Sequence, residues 1–500
     1  MSENLYDLFA SRFPADRNAP FLIGPRSVLT YGALDDLTGR MSAALCSAGA
    51  KPGDRIAAQI EKSAEGVALY LAAVRAGLVY LPLNTAYRDD EVAYFLRDSE
   101  PSIVVADPAR AISVSAASRA AAPAVLTMDA NGNGSLFDLA RTFDPDPGVF
   151  QAGPNDLAAI LYSSGTTGKP KGVMLTHGNL ASNALTLHKL WQFEPGDVLI
   201  HALPIFHVHG LFVALNTTLL NGSAVLFHEK FDVDAILADM PRATLFMGVP
   251  TFYVRLLAAA ALTRESCSHM RLFISGSAPL LPETFDRFAE RTGHQILERY
   301  GMTEAGMITS ARPDLPRRAG HVGWPLPGVS VRVAPESGGI EIKGPNVFAG
   351  YWRQPGKTAE EVTADGYFKT GDLGAVGGDG TISIIGRAKD MFISGGYNVY
   401  PKEIETCIDA IPGVDESAVI GMPHPDFGEA GLAVVVMKAG AATLDEDMAQ
   451  TALKRQLANY KIPKQFIVTG SLPRNTMGKV QKAQMRTSYA AAWRRHMIGE

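Results

Sequence analysis
Short apolar runs recur through the first three-quarters of the chain. Leu157 to Leu161, Val198-Leu199-Ile200, Ala224-Val225-Leu226-Phe227, Thr244-Leu245-Phe246-Met247 and Arg271-Leu272-Phe273-Ile274 are too short for helices and read as buried strands. Helical periodicity, as in Phe285 to Thr292, lies between or beside them. That alternation predicts an α/β fold with largely parallel sheets. The Ala-rich stretches Ala116 to Ala122 and Ala258 to Ala261 read as ordinary helix. The pattern changes before residue 387. Ile340-Glu341-Ile342 and Thr381-Ile382-Ser383-Ile384-Ile385 read as strands of a smaller β-rich region, and Gly386-Arg387-Ala388-Lys389-Asp390 is a polar break. A helix from Pro401 to Ile411, strands Ser417 to Ile420 and Leu432 to Met437, and two more helical stretches follow. This predicts a compact α+β domain of about one hundred residues.

Polar punctuation sharpens the picture. Tyr162-Ser163-Ser164-Gly165-Thr166-Thr167-Gly168-Lys169-Pro170-Lys171-Gly172 follows the first of these strands, and Thr176-His177-Gly178-Asn179 reads as a helix start. Glycines let backbone N–H groups approach an anion, hydroxyls donate further hydrogen bonds and lysines neutralise charge, so the run suits a polyphosphate. It is not the nucleotide-triphosphatase loop: Ser163 stands at the first glycine position of that template and Pro170 at its hydroxyl position. No Gly-x-Gly-x-x-Gly accompanies it.

Composition narrows the class. The 500 residues exceed what one core serves. Hydrophobic content of 47% with 19% charged residues is that of a globular enzyme. A net charge of −5 disfavours nucleic acid as partner. Cys46, Cys267 and Cys407 are odd in number and far apart, which fits a reducing compartment and neither a disulfide framework nor a zinc site. The acidic start Met1-Ser2-Glu3-Asn4-Leu5-Tyr6-Asp7 carries no secretory signal, and Arg75 interrupts the longest apolar stretch, so a cytoplasmic protein with no membrane partner is expected. Residues 453–500 hold ten Lys/Arg and the single acid Glu500, a surface suited equally to solvent or to an anionic ligand.

Eight motifs in order carry a resemblance. They are the phosphate loop, Pro204-Ile205-Phe206-His207-Val208-His209-Gly210, Gly276-Ser277-Ala278-Pro279-Leu280, Tyr300-Gly301-Met302-Thr303-Glu304, Thr370-Gly371-Asp372-Leu373, Gly386-Arg387-Ala388-Lys389-Asp390, Gly395-Gly396-Tyr397-Asn398-Val399-Tyr400-Pro401 and Pro473-Arg474-Asn475-Thr476-Met477-Gly478-Lys479. From about Phe21 to Met485 the chain resembles the AMP-forming acyl-activating enzymes, which include acyl-CoA synthetases, firefly luciferase and peptide-synthetase adenylation domains. The resemblance implies that family's fold: a large multi-sheet N-terminal domain, residues 1–388, and a small mobile α+β C-terminal domain, residues 389–500, joined by a hinge at Lys389. It implies ATP, CoA and Mg2+, a carboxylate attacking the α-phosphorus of ATP, and a thiol then attacking the acyl carbon. Both nucleophiles come from substrates, so the protein supplies positioning and charge stabilisation.

The resemblance also assigns roles. Ser163, Ser164, Gly165, Thr166, Thr167, Gly168 and Lys171 would hold the β- and γ-phosphates. Ser277, Ala278, Glu298, Arg299, Tyr300, Gly301 and Met302 would border the nucleotide, with Thr303 donating to the α-phosphate. Glu304, joined by Ser163, would bind magnesium. Asp372 would accept from the ribose hydroxyls with Arg387 in support. Lys479 would bridge the attacking carboxylate and the α-phosphate. Gly395, Gly396 and Tyr397 would line the pantetheine tunnel once the small domain has rotated. Acetylation of Lys479 by a lysine acetyltransferase, reversed by a deacetylase, would remove its charge.

Two residues address the acid. His207 stands where amino-acid-activating relatives place an aspartate, which argues against an amino acid. Arg299, before Tyr300-Gly301, offers a planar fork for a second carboxylate and would be costly beside a long fatty chain. The expected acid is malonate, with Arg299 on its distal carboxylate and His207 and Ser277 lining the pocket. Methylmalonate or another short acid is the alternative; loading of a carrier protein is less favoured, since no carrier domain follows, and a monomer or weak homo-oligomer is expected.

Overall fold
The computed structural model describes every residue except 1–2, 26, 118–122, 146–147, 164–169, 395–396, 476–477 and 499–500. The chain divides into two compact units, residues 1–330 with 342–368, and residues 331–341 with 369–500.

The first unit is built on two large sheets. One runs in the order Trp324–Pro325, Gly306–Ser310, Leu297–Met302, Leu272–Ser275, Leu245–Gly248, Val198–His201, Ala224–Phe227, Pro20–Ile23, Val28–Thr30. Its central strands are parallel and its edges antiparallel. Leu245–Gly248 and Leu272–Ser275 are buried along their whole length, as strands covered on both faces must be. Helix Pro282–Thr292 closes one face: Phe288 meets Phe273 at 4.9 Å and Tyr253 at 5.3 Å, both edge-on. The other sheet orders Gly350–Tyr351, Lys171–Thr176, Leu157–Ser163, Val79–Pro82, Arg55–Gln59, Ile103–Ala106, Ala124–Thr127.

The strand Leu157–Ser163 pairs antiparallel with a further strand, Lys171–Thr176, with Ser163 opposite Lys171. The helix start read at Thr176 to Asn179 is present: helix His177–Leu190 begins there, with Thr176 and Asn179 forming a reciprocal cap. One expectation is corrected, that of helix across the alanines at 258–261. Helix Pro250–Ala258 stops at the first of them, because Arg291 draws its terminal carbonyls outward, donating to Leu257 O, Ala259 O and Leu262 O. Of the earlier Ala-rich stretch, helix Ala111–Ala117 takes in the first two residues and 118–122 lie outside the described residues.

In the second unit, strands Val414–His424 and Gly428–Met437 pair along their lengths, and Gln465–Thr469 adds in parallel. Their side chains alternate strictly: Val419, Ala433 and Val435 face Phe392, Ile404 and Ile408, while Ala418, Ile420, Leu432 and Val434 face Met485 and Trp493. The period of two therefore feeds two cores, one on each face. Gly421 is required, since a Cβ there would lie 2.3 Å from the Phe392 Cβ. A further sheet orders Ser330–Val333, Gly339–Lys343, Phe368–Val376, Ile382–Arg387. No helix among the described residues is long and apolar enough to cross a membrane.

Arg75, the charge inside the longest apolar stretch, is a buried strut. Its guanidinium donates to Asp35, the Tyr6 hydroxyl, Thr38 and Gly148 O within 2.9–3.2 Å. Asp35 is about one-third exposed, which softens the loss of its partner. Arg75→Leu is expected to destabilise the first unit by about 3 kcal/mol, at the low end for a broken buried pair; urea denaturation followed by tryptophan fluorescence measures it.

Candidate active site
The motif Tyr300 to Glu304 sits where strand Leu297–Met302 turns back into Gly306–Ser310. The turn is tight: a Cβ at Gly301 would lie 2.2 Å from Gly306 O, and Gly306 has φ +57°. Two asparagines brace it from neighbouring elements. Asn183 accepts from Met307 N at 3.0 Å and donates to Met307 O at 2.9 Å, and Asn346 donates to Ala305 O at 2.8 Å. Thr303 and Glu304 are thereby held on a fixed backbone. Glu304 is buried; it accepts from the Tyr351 hydroxyl at 3.2 Å, and its carbonyl accepts from Phe348 N. Lys171 lies 4.3 Å over the Tyr351 ring and 3.9 Å from Glu361. The Lys171 and Glu304 charges thus flank one phenol. Ser163 ends its strand opposite Lys171. Ser164, Gly165, Thr166, Thr167 and Gly168 lie outside the described residues.

Arg299 precedes this turn and is 4% exposed. Burial pulls its pKa down to about 9, which leaves it charged near neutrality. It forms no salt bridge with Glu298 or Glu304. Its guanidinium lies flat against Gly276, where a Cβ would stand 2.3 Å from Cζ. Among the described residues, Nε and Nη2 of Arg299, Oγ of Ser275 and Nε2 of His209 meet no hydrogen-bond partner. Ser277 adopts φ +72°, a left-handed conformation rare for a residue with a side chain. Its hydroxyl then reaches His209 Nδ1 at 3.2 Å. Burial and the nearby Arg299 charge hold His209 far below its ordinary pKa, so it is neutral. His209 opens a π-helical segment, His209–Leu215, and His207 Nδ1 accepts from its N–H at 3.3 Å. Tyr253 completes the wall, its hydroxyl donating to Ile274 O at 2.7 Å. Glu298, next to Arg299 in the chain, points elsewhere: its carboxyl accepts from Gly320 N at 3.2 Å, and burial raises its pKa to about 8. Ala278 follows Ser277 and is half-buried.

The second unit holds the remaining residues. Asp372 and Arg387 are register partners and form an ion pair at 2.8 Å, with Asp372 buried. Lys389 follows in a short 3-10 turn, its pKa lowered by burial and by Arg387. Tyr397 is 60% exposed and stacks on Tyr460 at 4.7 Å; Gly395 and Gly396 lie outside the described residues. Lys479 closes a small hairpin. Asn475 Oδ1 accepts from Lys479 N at 2.9 Å, Asn475 N donates to Lys479 O at 3.0 Å, and Arg474 donates to Gly478 O while pairing with Glu416.

Comparison with known proteins agrees with this arrangement. The description AMP-binding enzyme matches residues 8–352, and AMP-binding enzyme C-terminal domain matches residues 403–479. The chain belongs to the AMP-binding enzyme family. ATP-bound MatB from Rhodopseudomonas palustris is 52% identical, with a TM-score of 0.96 over 99% of this chain and all of that one. Malonate–CoA ligase of Arabidopsis thaliana is 35% identical over 88% of this chain and 79% of its own length. Feruloyl-CoA synthase of an Amycolatopsis species is 36% identical over 93% of this chain and 94% of its own.

In this AMP-binding enzyme the motifs contain most of the polar side chains described above but not their braces. Asn183, Asn346 and Tyr351 lie in stretches without a chemical signature, and His209, though inside a motif, gave way to His207. A second histidine two residues on, directly before Gly210, was the available signal for His209.

Glu298 generates a pH prediction. Its carboxyl has an ordinary pKa of 4.5 and a folded one of about 8, so between these values the folded state binds the extra proton. Stability therefore falls as pH rises through this window. Glu298→Gln is expected to flatten that decline, read from urea midpoints between about pH 5 and 8.

Proposed function
We propose that this enzyme is a malonate–CoA ligase, a malonyl-CoA synthetase, joining malonate to CoA through a malonyl-adenylate and releasing AMP and pyrophosphate. The observation that carries the reading is Arg299: a buried guanidinium with two nitrogens, Nε and Nη2, unmatched among the described residues. Burying such a charge without an anion costs several kcal/mol. A short acid with a second carboxylate supplies the anion in the geometry a guanidinium fork prefers. The malonate–CoA ligase among the relatives agrees with this chemistry.

One carboxylate of malonate sits on Arg299, with His207 and Ser277 lining the pocket; the other attacks the α-phosphorus of ATP. The residues of the 163–168 loop and Lys171 hold the β- and γ-phosphates, and Thr303 donates to the α-phosphate. Asp372 and Arg387 serve the ribose. Glu304 is a buried carboxylate held by a neutral phenol, a donor suited to a hard cation. With Ser163 it would hold magnesium, which supplies charge neutralisation on the polyphosphate. Lys479, on its braced hairpin, stabilises the charge that builds between carboxylate and phosphate. Rotation at Lys389 then withdraws it and brings Gly395, Gly396 and Tyr397 to the pantetheine of CoA, whose thiol displaces AMP. The enzyme acts in the cytoplasm as a monomer or weak homo-oligomer, and acetylation of Lys479 switches adenylation off.

ATP- and CoA-dependent AMP formation across acetate, propionate, malonate and methylmalonate tests the reading. Malonate is expected to be preferred, with methylmalonate within reach because one methyl is worth only about 1–3 kcal/mol. Arg299→Ala is expected to lower kcat/KM for malonate by about 10²–10³ while leaving propionate nearly unchanged. Equal use of acetate and malonate would return Arg299 to a structural role. Lys479→Ala, or stoichiometric acetylation there, is expected to slow pyrophosphate release by about 10²–10³.

A further inference from the structure
Lys62 lies outside every motif above. It leaves strand Arg55–Gln59 and precedes Ser63, the cap of helix Ala64–Arg75, so it belongs to the seven-stranded sheet. Its ammonium nonetheless reaches the end of a strand in the other sheet. Nζ lies 2.9 Å from Nδ1 of His201 and donates to the His201 carbonyl at 3.1 Å.

A carbonyl oxygen only accepts, so the contact of Nε2 with Gly210 O places the ring proton on Nε2 and leaves Nδ1 of His201 to accept from Lys62. That proton is donated to Gly210 O at 2.9 Å. His201 is 1% exposed, and burial together with the Lys62 charge holds its pKa far below the ordinary value. The ring therefore stays neutral in one tautomer. Phe227 stacks on it at 5.4 Å and also lies under the Lys62 ammonium at 4.4 Å. Burial pulls the Lys62 pKa well below its ordinary value, and the Glu229 charge opposes that fall. Gly210 is pinned from a second side, because a Cβ there would lie 2.1 Å from Pro204 O. The fixed carbonyl belongs to the residue after His209, whose ring meets Ser277 and whose Nε2 has no partner among the described residues.

We infer that Lys62 is a specificity-determining positioning residue: through the His201 tautomer and the Gly210 carbonyl it holds His209 against the Arg299 cluster that grips the second carboxylate. This rests on the malonate reading above. The relay runs from donor to acceptor without a break: Lys62 to His201 Nδ1, His201 Nε2 to Gly210 O. Loss of the lysine leaves Nδ1 without its donor, lets the ring proton move to either nitrogen, and frees the Gly210 carbonyl. Selectivity for a dicarboxylate then declines although no group that touches malonate has changed.

A cavity of about 160 Å³ adjoins Lys62, lined also by Ser63, Glu65, Asn131, Phe227 and Glu229 among others. It gives a small amine access to the place a truncated side chain would leave. The experiment measures kcat and KM for malonate, propionate and ATP in the whole enzyme and in Lys62→Ala, with and without ethylammonium. KM for malonate is expected to rise roughly tenfold, the scale of one lost charge-assisted hydrogen bond. KM for ATP and propionate is expected to stay within about twofold, and ethylammonium is expected to restore malonate KM. A parallel rise for malonate and propionate, or an unchanged malonate KM, overturns the inference. Should Lys62→Ala not fold, His201→Gln and His201→Leu decide. Glutamine can accept from Lys62 and donate to Gly210, so it is expected to keep selectivity where leucine loses it; equal selectivity in the two overturns the inference. A wild-type enzyme that does not prefer malonate over propionate overturns the malonate reading itself. A wild-type preference that survives in Lys62→Ala overturns the inference alone.

Discussion
A single buried guanidinium organises the acid side of this site. Arg299 lies against the Gly276 backbone with no carboxylate among the described residues paired to it, and a charge in that position dictates what its neighbours are. Residue 276 must lack a Cβ. Ser277 must turn left-handed, which swings its hydroxyl toward His209. His209 must be neutral, since a second cation would compound the cost. Tyr253, spent on the Ile274 carbonyl, leaves the guanidinium unmatched rather than quenched. An anion from outside the chain would complete this set.

The strands of the large sheets were legible because burial on both faces demands continuous apolar runs. Ala224–Phe227 coincides with its sequence reading, and Leu245–Gly248 and Leu272–Ser275 differ from theirs by one residue at each end. What the sequence hid was set by tertiary partners. Lys171–Thr176 became a strand because its backbone had Leu157–Ser163 to pair with, and a Lys-Gly start gives no such signal. Helix Pro250–Ala258 stops amid alanines of high helix propensity because Arg291, far along the chain, takes the carbonyls that would have continued it. The site follows the same rule. The charged and hydroxyl residues of the motifs stood out by type and order, whereas Asn183, Asn346 and Tyr351 act only through where the fold places them.

The second unit has a comparable division of labour. Its two long strands serve two cores through strict alternation, a rigid platform for short polar segments. The hairpin of Lys479 is stiffened by the Asn475 side chain, which closes on the lysine's own N–H, and by Arg474, which spans Gly478 O and Glu416. A flexible lysine side chain thus starts from a fixed root, which reduces the entropy lost when its ammonium is positioned.

The π-helical turn at His209–Leu215 carries a consequence for how such sites diversify. Its hydrogen bonds close over one more residue than those of an α-helix. Loss of a single residue anywhere in this turn would convert it to ordinary α-helix and rotate one flank against the other by about 100°. His209 would leave Ser277, although no side chain at the cluster had been replaced. Segment length, and not only residue identity, is therefore an inherited variable in which acid the pocket fits. Insertions and deletions can redirect this enzyme where point substitutions would leave a buried arginine stranded.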